Sequence, residues 1–261
     1  MNTIGSTKIE LNEQFVKALE AIEAGKNVFI TGKAGTGKST LLTYFRNHTR
    51  KSTVVLAPTG VAAVNIRGQT IHSFFRFRPD ITVEKVKKKY KKMLNADLYK
   101  QIETLVVDEI SMVRADLFDC MDTLLRLHGP KKNQPFGGVQ LVITGDLYQL
   151  PPVVTSGERQ IFLKHYPSPY FFDAPSFSNL SVELIELEKI YRQKDEDFIR
   201  ILNGIRNRSI SDALFAQLNT LVQLEFEQEG KHANVHLVTT NAKPEEINSR
   251  ELTRIPGKKW S

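Results

Sequence analysis

Six runs of apolar and β-branched residues punctuate the chain: NVFIT (27–31), STVVLA (52–57), ETLVVD (103–108), VQLVIT (139–144), VELIEL (182–187) and NVHLVT (234–239). Each has the length and composition of a strand. Helical patterns stand between several of them, as in STLLTYFRNHT (39–49) and RADLFDCMDTLLRLH (114–128). Strands alternating with helices predict an α/β domain, with a mostly parallel sheet covered on both faces.

One segment breaks the alternation. From Phe75 to Gln101 the chain is long, rich in lysine and placed between two core strands, so it reads as an insertion. Within it, Val83, Val86, Tyr90 and Leu94 fall on one helical face, and Lys85, Lys88, Lys89 and Lys92 lie mainly on the others. Such a helix has two readings: a solvated amphipathic surface, or a basic edge beside a nucleic-acid path. A second irregular stretch, YPSPYFFDAPSFSN (166–179), has the proline, serine and aromatic content of a packed loop.

Composition narrows the class. At 261 residues and 41% hydrophobic content, the chain has the material for one large domain or one and a half. The net charge of +7 favours a polyanionic partner. A single cysteine, Cys120, excludes an internal disulfide and a thiolate metal cluster. His232 and His236 have a loosely ligand-like spacing without acidic partners, which fits a surface or strand pair better than a metal site. There is no apolar run long enough to span a bilayer and no apolar signal core at the start, so a cytoplasmic, non-membrane protein is expected.

The chemistry lies at the ends of the predicted strands. GKAGTGKST (32–40) follows the first strand and opens a helix, matching the phosphate-loop pattern through Gly32, Gly37, Lys38 and Ser39. The glycines let N–H groups turn inward onto phosphate oxygens, and the helix start adds partial positive charge. Ala34, Gly35, Thr36 and Thr40 complete the nucleotide cradle. Lys38 is expected on the β/γ-phosphates and the Ser39 hydroxyl on Mg²⁺. TLVVDEIS (104–111) then places Asp108 at the carboxyl end of a buried strand, as the second Mg²⁺ ligand, and Glu109 as the base that polarises water. In VITGDLYQLPPVV (142–154), the strand stops at Gly145-Asp146, and Gln149 precedes the stiffening pair Pro151-Pro152. If this strand lies beside the one ending at Asp108, Asp146 and Gln149 stand near the γ-phosphate, and Gln149 suits sensing it.

Taken together, these stretches resemble the Pif family (petite-integration-frequency group) of DNA helicases, relatives of RecD and Dda in superfamily 1. The resemblance runs through LNEQFVKALEAI (11–22), the phosphate loop, APTGVAAVNIRGQTIHSFF (57–75) and VVDEISMVRADLFDCMD (106–122). It continues through PFGGVQLVITGDLYQLPPV (135–153), EKIYRQKDEDFIRILNGIR (188–206) and LVTTNAKPEEIN (237–248). It implies a RecA-like P-loop fold and ATP-driven 5′-to-3′ movement on single-stranded DNA, with duplex/single-strand junctions as substrates. It also implies that Gln14 reads the adenine edge and that Arg192 contacts the γ-phosphate. Pro58, Thr59, Gly60, His72, Ser73 and Phe74 would line the DNA track, with Phe74 and Phe75 also candidates for core packing.

The resemblance further implies a domain plan. Residues 1–74 and 102–187 form the first RecA-like domain, 75–101 a small accessory subdomain and 188–261 the start of a second domain. The second domain's further motifs are absent from 241–261, so a shortened product of a longer helicase is expected, with weak activity by itself. Repair, recombination, telomere maintenance and G-quadruplex removal all draw on this family's engine; a monomer of bacterial, nucleoid-associated character is expected. Two other classes compete: a P-loop ATPase without a nucleic-acid track, and a nucleotide- and DNA-binding module without turnover. Stimulation of hydrolysis by single-stranded DNA separates the first of these from a helicase, and comparison with a longer chain separates the second.

Overall fold

The computed structural model describes residues 3–4, 7–8, 11–92, 96–191, 195–220, 222, 237–238 and 242–254. Its centre is a six-stranded sheet of order β5-β4-β6-β7-β3-β8, all of whose pairings are parallel. The strands are β3 (Asn27–Gly32), β4 (Thr53–Ala57), β5 (Gln69–Thr70), β6 (Thr104–Val107), β7 (Gln140–Thr144) and β8 (Val182–Leu187). Ahead of them, β1 (Thr3–Ile4) and β2 (Thr7–Lys8) pair antiparallel. Five of the six predicted strands are present to within a residue at each end. The sixth, 234–239, lies outside the described residues except at Leu237 and Val238, which are not in a strand. The two-residue edge strand β5 is too short to leave a periodic signal.

Alternate side chains of the sheet feed two cores. Val28, Ile30, Val106 and Val142 face a layer built by α1 (Glu13–Glu23) and α2 (Lys38–His48), where Phe15, Ile22, Leu41 and Phe45 are buried. Phe29, Leu105, Val107, Leu141 and Ile143 face the other layer. There α7 (Ala115–His128) supplies Phe118, Met121, Leu124 and Leu125. β6 and β7 are buried at every residue, as central parallel strands must be. β8, at the edge, buries only Ile185 and Leu187.

Between β4 and β6 come α3 (Gly60–Asn65), α4 (Ile71–Phe75), α5 (Val83–Lys89) and α6 (Asp97–Lys100). α5 is shorter than the spacing predicts, because Tyr90 is drawn out of the helix. Its hydroxyl donates to the Arg76 carbonyl at 2.7 Å, and its own carbonyl contacts His128 Nε2 at 2.6 Å. Val86 is fully buried against α7, so the insertion is docked on the core rather than projecting from it. Leu94 lies outside the described residues. The stretch 166–179 is packed as expected, through a 3-10 turn at Phe171–Asp173 and α9 (Pro175–Ser178), which follows α8 (Ser156–Phe162).

The chain divides into two units, Met1–Ile210 and Ser211–Ser261. α10 (Glu196–Arg206), assigned from sequence to the start of a second domain, falls within the first unit. The second unit contains α11 (Asp212–Asn219), capped by the Ser211 hydroxyl, and α12 (Ala242–Arg254). No described helix is long and apolar enough to cross a membrane.

Candidate active site

Three neighbouring strands, β6, β7 and β3, end side by side, so their exit loops converge. β3 feeds the phosphate loop, and α2 begins at Lys38. Glycine is required at two places. At Gly32, with φ +145°, a Cβ would stand 2.4 Å from the Leu187 carbonyl oxygen. At Gly37, with φ +90°, it would stand 2.9 Å from Phe15 Cζ. The Lys38 ammonium arches over the loop, donating to the carbonyls of Gly32 at 2.7 Å and Lys33 at 3.0 Å. Thr36 is buried and donates its hydroxyl to the Lys33 carbonyl at 2.9 Å. Ala34, Ser39 and Thr40 are exposed.

Asp108 follows β6 and is 4% exposed. Its carboxylate accepts the Thr144 hydroxyl, the Glu109 N–H at 3.0 Å and the Ser39 hydroxyl at 3.5 Å. The sequence-predicted metal pair is therefore brought together. Glu109 holds a left-handed backbone, φ +52°, uncommon for a residue with a Cβ and of the kind that collects at functional sites. Burial raises its carboxyl above the ordinary range, assisted by Asp108 and Asp146 and opposed by Lys38. Burial lowers the Lys38 ammonium, against the pull of Asp146, Glu109 and Asp108. The cluster thus sets Lys38 among three acids, one of them paired with Arg206, and burial disfavours the charged forms of Lys38 and Glu109.

The turn after β7 is organised around Asp146, only 2% exposed. Oδ1 accepts the Tyr148 N–H at 3.1 Å, and Oδ2 accepts the Gln149 amide at 3.3 Å. The Gln149 N–H also closes on the Asp146 carbonyl at 2.9 Å. Gln149 is exposed but tied at both ends, which explains the stiff stop seen in the sequence.

Beside the loop, Gln14 has its whole amide engaged by Glu188. Its oxygen accepts the Glu188 N–H at 3.0 Å, and its nitrogen donates to the Glu188 carboxylate at 3.1 Å. Tyr191 donates its N–H to the Gly35 carbonyl at 2.8 Å, accepts from Asn12 and sets its ring edgewise to Phe15. Arg192, along with His232 and His236, lies outside the described residues.

The expected DNA-track residues sit past β4. Thr59 caps α3, accepting the Ala62 N–H at 3.3 Å; Pro58 is half-buried, and Gly60 and Ser73 are exposed. His72 is half-buried, and burial lowers its imidazole value. Of the two readings left open for Phe74, the structure favours core packing: it is 8% exposed and packs edgewise on Phe75 and Tyr99, and Phe75 is fully buried beside it. A cavity of about 620 Å³ is lined by Arg46, Arg67, Ser73, Phe74, Arg76 and Tyr99 rather than by the phosphate loop. A loop that grips phosphate with backbone N–H groups is an open saddle, so the geometry of the strand ends identifies the site better than enclosed volume does.

Three residues that contact the site have no role assigned from the motifs. Thr144 carries no signal beyond strand propensity, Glu188 reads as one surface acid among many, and Arg206 is silent until α10 packs.

A parallel sheet of this order, with phosphate loop, buried aspartate and adjacent glutamate at its carboxyl edge, defines a RecA-like P-loop NTPase domain. The chain belongs to the PIF1-like helicase family, whose model matches residues 10–213. Human ATP-dependent DNA helicase PIF1 is 35% identical over 272 residues, covering 98% of this chain and 39% of that protein. ATP-dependent DNA helicase RRM3 of Saccharomyces cerevisiae is 34% identical, covering 88% of this chain and 32% of that protein. A crystal structure of Pif1 helicase from Bacteroides in complex with ADP-AlF3 and ssDNA superposes with TM-score 0.85 at 36% identity, covering 96% of this chain and 59% of that one. The chain therefore spans about two fifths or less of these curated relatives' length.

Proposed function

We propose that this chain carries the nucleotide-binding engine of an ATP-driven DNA helicase that moves 5′ to 3′ on single-stranded DNA. The observation that carries the reading is the convergence of Lys38, Ser39, Asp108 and Glu109 past the ends of β3 and β6, the two strands that flank β7. Lys38 binds the β- and γ-phosphates, exchanging its present carbonyl partners for phosphate oxygens. The facing hydroxyl of Ser39 and carboxylate of Asp108 are hard oxygen donors that suit Mg²⁺. When bound, the ion neutralises charge on the phosphates. Glu109 orients the attacking water and takes its proton, a role that a raised carboxyl value serves. Gln149 registers the terminal phosphate, Arg192 neutralises charge developing on it, and Gln14 reads the adenine once it leaves Glu188. Thr59, Gly60, His72 and Ser73 contact the DNA backbone. Residues from 188 onward lead into a second RecA-like domain. The relative described in complex with ADP-AlF3 and ssDNA supports both nucleotide and DNA as partners.

The test is ATP hydrolysis with and without single-stranded DNA, for this chain and for one extended through the second domain. DNA-stimulated turnover in the extended chain, abolished by Lys38→Ala, is expected. Turnover indifferent to DNA would instead indicate a P-loop ATPase of another class.

A further inference from the structure

α10 starts under the cap of Asp195, whose carboxylate accepts the Phe198 N–H at 3.0 Å, and buries Ile201 and Gly204. Its last turn carries Arg206, where a cation complements the negative end of the helix dipole. The guanidinium leaves the helix for the turn after β7. It donates to Asp146 Oδ1 at 3.1 Å, and its carbon lies 4.1 Å from the centre of the Tyr148 ring. The pair is withdrawn from water, with side-chain exposures of 17% and 2%. Yet Arg206 Nε is buried with no hydrogen-bond partner among the described residues.

A desolvated, incompletely satisfied ion pair is a poor device for stability, since an apolar pair of similar volume usually does as well or better. Its geometry serves a different end. Arg206 occupies one oxygen of Asp146, and the other oxygen holds the amide of Gln149. Tyr148, between them in sequence and 66% exposed, is covered by the same guanidinium. Arg206 also disfavours the charged form of Lys38 electrostatically.

We propose that Arg206 is the positioning residue of the Asp146–Gln149 turn, and that through it α10 registers a terminal phosphate bound at Lys38. The proposal rests on the reading of Gln149 as the phosphate sensor. Its logic is mechanical. A shift of Gln149 toward a phosphate pulls on Asp146, and Asp146 is tied to a helix more than fifty residues onward in the chain rather than to its own strand alone.

The test compares Arg206→Met, which keeps bulk without charge, with Arg206→Lys and Gln149→Ala in the 261-residue chain. Two quantities are read: affinities for ADP and for a non-hydrolysable ATP analogue, and amide hydrogen exchange in residues 145–150. Arg206→Met is expected to weaken the ATP analogue by about tenfold, the worth of one charged hydrogen bond, with ADP held within about twofold. Exchange should quicken in the turn, and Arg206→Lys should recover most of both effects. Unchanged exchange, or equal losses for both nucleotides, overturns the proposal. Gln149→Ala separates the two ideas. If it leaves the ratio of affinities intact, the sensing reading falls and this proposal with it. If Gln149→Ala loses the ratio while Arg206→Met keeps it, only the proposal falls.

Discussion

The Thr144 hydroxyl donates to the buried carboxylate of Asp108, tying the last residue of β7 to the residue that follows β6. Thr144 is fully buried. The bond joins the aspartate proposed to hold Mg²⁺ to the strand whose exit turn carries Asp146 and Gln149. Any movement of that turn therefore begins from a strand end anchored at the Asp108 carboxylate.

Thr144→Val tests this anchor. Valine keeps the shape and removes the hydroxyl, leaving Asp108 with one donor fewer in a site nearly closed to water. A bond to a charged group contributes about 1.5–3 kcal/mol, so the denaturant midpoint of the first unit should fall accordingly. Binding of nucleotide with Mg²⁺ should weaken as well, and Thr144→Ser should restore both. An unchanged midpoint in the valine variant would mean that Asp108 is held adequately by Ser39 and the Glu109 N–H.

Glu109→Gln should leave nucleotide binding intact and remove hydrolysis, since glutamine cannot accept the proton. It has a second consequence. Burial raises the Glu109 carboxyl in the folded chain above its unfolded value. Its favourable contribution is then full below the unfolded value and is lost as pH rises through the folded one. The glutamine variant, always neutral, should melt above the wild type at pH 8 and converge with it near pH 4. Turnover of the wild type in the extended helicase should rise with pH through the same raised value. A melting difference that grows toward acid would reverse the sign and remove desolvation as the cause.

Strands and phosphate chemistry were legible in sequence because both are local. NVFIT followed by GKAGTGKST fixes strand, loop and helix start within fourteen residues, and TLVVDE places its acids by the strand that carries them. Contacts between distant segments were not legible. Gln14 meets Glu188 across 174 positions, and Arg206 meets Asp146 across 60, with only the packed sheet to bring them together. Phe74 stayed open in sequence for a related reason: its two readings, track or core, are separated only by the positions of Phe75 and Tyr99, which enclose the ring.

Glycine substitutions separate space from conformation. At Gly32, alanine would bring Cβ within 2.4 Å of the Leu187 carbonyl at φ +145°, so β8 must move away from β3. A loss of about 1–3 kcal/mol is expected, typical of overpacking, together with weaker nucleotide binding. At Gly157, in the first turn of α8, an added Cβ meets nothing within 4 Å. Alanine there should stabilise by up to about 1 kcal/mol through helix propensity. Equal effects at the two sites, measured by thermal melting, would contradict the close approach of β8 to the phosphate loop.

The two readings of the lysine-rich helix make opposite predictions. Val86 is fully buried against α7, and Lys87, Lys88 and Lys89 are exposed, so the helix is held by its apolar side and presents its charge outward. Lys85 is already paired with Asp80, which leaves the last turn as the concentration of positive charge. If these lysines line the path of DNA, each phosphate they neutralise releases counterions. The dependence of log affinity on log salt should then shallow by about 0.7 for each contact removed from a single strand. The combined change of Lys87, Lys88 and Lys89 to glutamine should therefore reduce the slope by as much as about 2 and lower affinity at low salt, with little effect on melting because all three side chains are exposed. If the face is merely solvated, slope and affinity stay as they were. Binding of a labelled oligonucleotide, titrated at several salt concentrations, decides between them.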